Sequence, residues 1–187
     1  GTHHNYLGNP TEGAIIAMVN NPSYQHVREK ANIVYQIPFA SSNKYMLTVT
    51  KHATTYHILS KGAPEVILKQ CRSELVDGKV RPLTKAREQA ILDQMKELQS
   101  NAMRIIAFAS SETTRKEDFM NKKQWFHQLT FQGFVGINDP LREGVKESIE
   151  CARDARIETK ILTGDNIHTA IAIGNEIGIL TEEKRAV

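Results

Sequence analysis

No apolar run among the 187 residues approaches the roughly 20 needed to cross a bilayer as a helix, so this stretch holds no transmembrane segment. The polar start, Gly1 to Pro10, lacks a signal-peptide pattern. There are only two cysteines, Cys71 and Cys151, and they lie too far apart for a zinc or redox motif. Two reduced thiols are expected, which suits a cytosolic compartment. The histidines His3, His4, His26, His52, His57, His127 and His168 show no metal-ligand spacing, and no metal site is expected among them. Internal repeats and low-complexity tracts are absent as well.

What is present is an ordinary globular composition, 40% hydrophobic and 24% charged, in a chain long enough to bury a core without disulfides or metals. A net charge of +3 and a pI near 8.8 lean basic. That balance mildly favours an anionic ligand without choosing among nucleotide, nucleic acid and lipid headgroups. The mixed run Arg115-Lys116-Glu117-Asp118, followed by Lys122-Lys123, reads as a solvated face.

After the turn signals Gly8-Asn9-Pro10, the apolar segment Thr11 to Asn20 predicts a short buried helix. Strand patterns follow at Ile33 to Ile37, Tyr45 to Thr50 and Thr54 to Leu59. The short interval Lys51-His52-Ala53 predicts an antiparallel hairpin between the last two. Pro64 opens a helix through Val66, Ile67 and Leu68, and Asp77-Gly78 marks a tight turn. Ile91, Met95, Leu98 and Ala102 form the stripe of an amphipathic helix from Thr84 to Ser100, before a buried strand from Arg104 to Ser110. Phe131 to Ile137 then reads as a strand, Arg142 to Ala155 as a helix, Glu158 to Leu162 as a strand and Asn166 to Gly178 as a helix. That alternation predicts parallel pairing through a right-handed crossover. The expected fold is α+β: an antiparallel sheet with flanking helices over residues 1–132, then a partial α/β segment over 133–187.

Three groups of residues carry candidate chemistry. Lys61-Gly62-Ala63 lies between a strand and the helix opened by Pro64. There the glycine admits a ligand to the backbone and the lysine offers charge to a phosphate, or the three form a plain turn. Phe39, with Lys44 five residues on, either stacks a purine beside a cation or fills the core at a strand end. Thr163-Gly164-Asp165-Asn166 sits at a strand-to-helix junction, where backbone N–H groups hold phosphoryl oxygens and where Asp or Asn also serves as a helix cap.

In their order along the chain, Lys61-Gly62-Ala63-Pro64-Glu65, Asp139-Pro140-Leu141-Arg142 and Thr163-Gly164-Asp165-Asn166 resemble the cytoplasmic catalytic region of P-type cation-transporting ATPases. The run Ile161 to Leu180 is most similar to the calcium pumps of the P2 class. The resemblance implies that Glu12, in Gly8-Asn9-Pro10-Thr11-Glu12-Gly13-Ala14, faces adenine. It further implies that Phe39 stacks on the base, that Lys44, Lys61 and Gly62 line the pocket, and that Arg104 reaches the phosphates. Residues 139–142 correspond to the hinge into a phosphorylation domain of the haloacid-dehalogenase-like fold, and Thr163, Gly164 and Asp165 to that domain's supporting phosphoryl-site motif. Ser41 stands where calcium pumps often carry a second basic residue, which implies weaker phosphate affinity.

Neither the family's Asp-Lys-Thr-Gly-Thr stretch nor its Gly-Asp-Gly-X-Asn-Asp stretch occurs in this sequence. The resemblance therefore implies a soluble, ATP- or ADP-binding piece of a membrane-embedded pump, on its cytoplasmic face. It would be inactive alone, with Mg2+ used by the parent and the remaining domains and transmembrane helices as partners. A haloacid-dehalogenase-like phosphatase would need an Asp-X-Asp-X-Thr stretch, which is absent. A basic module for nucleic acid or protein rests only on the modest positive charge.

Overall fold

The computed structural model describes residues 10–19, 24–116, 120–121, 128–138, 141–163 and 167–180. In chain order these form helices α1 (Pro10–Val19) and α2 (Tyr24–Lys30), then strands β1 (Ile33–Ile37), β2 (Tyr45–His52) and β3 (Thr55–Gly62). Helix α3 (Pro64–Gln70), strands β4 (Cys71–Val76) and β5 (Lys79–Pro82), and helix α4 (Lys85–Ser100) follow. Strands β6 (Arg104–Thr113) and β7 (Leu129–Ile137) and helices α5 (Val145–Asp154) and α6 (Ile167–Glu176) complete them.

All seven strands belong to one sheet, ordered β1-β2-β3-β6-β7-β4-β5. Its pairs are antiparallel except for β4 with β7, so the sheet is mixed rather than wholly antiparallel. The period-two alternation of β2 explains its packing. Tyr45, Leu47 and Val49 are buried and share a face with Ile58 of β3 and with Ile105, Ala107 and Ala109 of β6. Ile67 and Leu68 of α3 and Ile91 and Met95 of α4 complete that core. Helix α4 begins where the sequence predicts, with the Thr84 hydroxyl accepting from the Arg87 N–H at 3.2 Å. Arg87 then donates to both carboxylate oxygens of the buried Glu74, tying α4 to β4.

Several expectations are corrected. Helix α1 is not buried: Gly13 is its one buried residue among those described, and Met18 and Val19 are exposed. Its apolar composition carries no amphipathic stripe to turn inward. β3 continues to Gly62, so Lys61 and Gly62 lie in the strand and not after it. β7 does not start a separate parallel unit; it lies between β6 and β4 in the same sheet and runs through position 132/133. Residues 158–162 form no strand. A strand needs a neighbour for its backbone groups, and none of the described strands lies beside this segment, where Leu162 is almost fully exposed. The parallel crossover between the two therefore does not form. The Asp139-Pro140 part of the expected hinge lies outside the described residues.

The two cysteines differ in environment. Cys151 is exposed, whereas burial pushes the Cys71 thiol up to about 12. A disulfide-exchange reagent at neutral pH should modify Cys151 in the native protein much faster than the half-buried Cys71. Equal rates at both would contradict this packing.

Candidate functional site

Side-chain parity along the strands sets up a second face. With Leu47, Ser60 and Ala109 pointing into the helical core, Met46, Lys61, Arg104 and Ile106 point away from it. Helix α1 lies against this side, and between them is a cleft of about 560 Å³. Glu12, Phe39, Lys44, Lys61, Gly62 and Arg104, the six residues anticipated for the nucleotide, all line it. Ser41 does too.

Phe39 is 62% exposed, which removes the core alternative for its ring. Lys44 has a positive φ of 57°, fixed by a bond from its N–H to the Ala40 carbonyl at 2.7 Å. Its ammonium stands 4.0 Å from Glu65, across the cleft mouth. Gly62 is needed because β2 comes so close: an added Cβ would lie 2.7 Å from Tyr45 Cα and 2.8 Å from Tyr45 Cβ, and would strike the Lys44 carbonyl oxygen. The near backbone is thus the neighbouring strand's, a reason the sequence reading did not foresee. Arg104 Nη1 donates to Thr11 Oγ1 at 3.2 Å, and Lys61 Nζ donates to Glu12 Oε1 at 2.7 Å. These two bonds link α1 to β6 and β3.

The bond from Lys61, and next its positive charge, hold the Glu12 carboxyl below its ordinary value of 4.5. Partial burial opposes this and Arg28 adds a smaller downward pull. Because the folded value is depressed, the pair's stabilisation is complete above the unfolded value and is lost as pH falls through the lowered one. With both side chains partly exposed, that contribution is small. Carboxyl-carbon NMR should show Glu12 titrating below 4.5, and Lys61→Met should raise it towards that value; an unmoved midpoint would refute the assigned cause.

Thr163 is exposed and does not line the cleft, and Gly164 and Asp165 lie outside the described residues. Two lining residues escaped the sequence reading. Gln99, at the end of α4, and Thr169, on α6, wall the Arg104 side of the cleft, and Thr169 Oγ1 donates to the Met103 carbonyl at 3.3 Å. Among the described residues no cluster of three or more His, Cys, Asp or Glu could hold a metal ion. The two cleft carboxylates, Glu12 and Glu65, each face a lysine, a donor set that does not fit a magnesium cage. No helix among the described residues is long and apolar enough to cross a membrane.

Comparison with known proteins agrees with this geometry. A family model described as P-type ATPase, cytoplasmic domain N, matches residues 1–144. "Calcium-transporting ATPase PAT1" of Dictyostelium discoideum is 36% identical over 181 residues, 95% of this chain and 16% of its own length. "Calcium-transporting ATPase 1" of Lactococcus lactis is 32% identical over 183 residues, 97% of this chain and 21% of its own length. "Probable cation-transporting ATPase F" of Mycobacterium tuberculosis is 30% identical over 189 residues, covering 100% of this chain and 21% of its own length. The chain thus spans about a fifth or less of the curated relatives it matches. A match of this extent, on a chain whose motif residues converge on one cleft, shows that the chain belongs to the P-type cation-transporting ATPase family and carries its cytoplasmic domain N.

Proposed function

We propose that the cleft holds ATP or ADP and that the chain serves as the nucleotide-binding part of a cation-transporting pump. One observation carries the reading: six residues spread from Glu12 to Arg104, named from their motifs, line a single cleft. Phe39 offers an exposed ring for the base, Glu12 an ionised acceptor for the adenine amine, and Lys44, Lys61 and Arg104 positive charge for the phosphates. Magnesium is carried by the phosphates, since the two cleft carboxylates, Glu12 and Glu65, are turned to lysines.

In the parent, the γ-phosphoryl passes to an aspartate outside this sequence, and the aspartyl phosphate drives cation movement. This domain's share is positioning and charge stabilisation. Calcium is the cation in the names of two of the relatives above, and we carry it over as the cation of the parent. Residues 133–187 belong, in this reading, to the start of the phosphorylation domain. Residues 139–142 act as the hinge, and Thr163, Gly164 and Asp165 support the phosphoryl site. That the sheet continues to Ile137 supports moving the boundary of this reading from 132/133 to the hinge at 139–142.

An isolated domain holds nucleotide weakly, at about 0.1 to 1 mM. A backbone-amide NMR titration with ATP tests the reading. Shifts should cluster at Glu12, Phe39, Lys44, Lys61, Gly62 and Arg104 with little dependence on magnesium. Silence at these positions up to several millimolar nucleotide would overturn it.

A further inference from the structure

Gln99 is 8% exposed and lines the cleft beside Arg104. Among the described residues, its carboxamide has no hydrogen-bond partner. A carboxamide brings two donors and an acceptor, and those of Gln99 stay open to solvent: among the described residues, Gln70 Nε2 is the one fully buried side-chain polar atom without a partner. The other polar groups nearby are engaged: Arg104 donates to Thr11, and Thr169 donates to the Met103 carbonyl. Gln70 does not compete for this role, since its oxygen accepts from Ser60 in the core and it does not line the cleft. Gln99 therefore presents an unbonded, solvent-accessible amide from the cleft wall to a ligand.

The strand order supplies a ruler for what that ligand offers. Phe39 and Lys44 flank the β1–β2 end of the cleft, Lys61 and Gly62 lie on β3, and Arg104 to Ile106 lie on β6, next to β3. Neighbouring strands stand about 4.8 Å apart, so β2 and β6 are separated by about 10 Å. A nucleotide whose base stacks on Phe39 must run its phosphates across β3 towards β6. Gln99, beyond Arg104, meets only the outer end of that tail. An amide N–H beside a guanidinium suits an anionic oxygen there.

Resting on the nucleotide reading above, we propose that Gln99 Nε2 donates to an outer phosphate oxygen, making it a binding residue that favours di- and triphosphates over the monophosphate. Thr169 shelters this contact by bringing α6 over the Met103 carbonyl.

The test follows the Gln99 side-chain amide by NMR, assigned by its loss in Gln99→Leu, while ATP, AMP or inorganic tripolyphosphate is added to the whole chain. The amide should shift with ATP and tripolyphosphate and stay in place with AMP. Gln99→Leu should weaken ATP binding about 3- to 10-fold, the range of one hydrogen bond, and leave AMP within about twofold. A Gln99 amide that stays still while Phe39 responds to ATP would overturn this proposal alone, as would equal losses for ATP and AMP. If Phe39, Lys61 and Arg104 are also silent, the nucleotide reading falls and this one with it. The wild-type amide shift needs no variant to fold.

Discussion

Phe39→Ala should remove measurable ATP binding while leaving thermal stability nearly unchanged. The two halves of this expectation come from the same observation, the 62% exposure of the ring. A ring so exposed contributes little to the core, and its removal falls among surface changes worth within about 0.5 kcal/mol. A base that stacks on it gains about 1 to 3 kcal/mol. Against a site of 0.1 to 1 mM, about 4 to 5.5 kcal/mol, losing about 2 kcal/mol raises Kd roughly thirtyfold, beyond a practical titration. Calorimetric titration and a thermal melt on the same sample decide the matter. Unaltered affinity would end the stacking assignment, and a large drop in melting temperature would make Phe39 a structural residue instead.

Local pattern conveyed the elements wherever burial follows chain periodicity. Tyr45, Leu47 and Val49 alternate as a strand must, and Ile91 and Met95 recur as on a helix; all five are in the core. Pairing was less legible, because it depends on partners distant in sequence. β7 looked like the first strand of a βαβ unit, yet it lies between β6 and β4, neither of which is signalled by its own residues. Residues 158–162 have strand composition, but none of the described strands pairs with them.

The site shows the same divide. Nothing in the spacing of Glu12, Phe39 and Arg104 links them; motif resemblance did, and strand parity then explains why Lys61 and Arg104 share a face. The apolar stripe Ile91, Met95, Leu98 and Ala102 passes beside Gln99 without including it. Gln99 stands eight residues after Ile91, on the same buried side as Met95, and a polar residue at that place in an apolar stripe was the available signal.

Gly62→Ala should cost about 3 kcal/mol of folding stability and disorganise the cleft together with it. The new methyl has no void to enter: it meets Tyr45 Cα and Cβ and the Lys44 carbonyl oxygen, and Tyr45 is itself 3% exposed. Because these are backbone atoms and a buried Cβ, no rotamer change relieves the clash, which puts the cost at the upper end of overpacking, about 1 to 3 kcal/mol. Relief requires β2 and β3 to part where Tyr45 faces Gly62, and that movement strains the 2.9 Å bond from the Ala63 N–H to the Lys44 carbonyl. Lys44 and Lys61, one residue to either side of this pair, would then lose their common placement. Gly78→Ala is the control. Gly78 has φ of +73° in the β4–β5 turn and nothing near its missing Cβ, so its substitution should cost only about 1 kcal/mol of backbone strain. Urea denaturation separates the two, since a steric cause predicts that Gly62→Ala is much the less stable. Equal midpoints would show that the strands yield freely at Gly62, and the close approach would no longer explain the glycine.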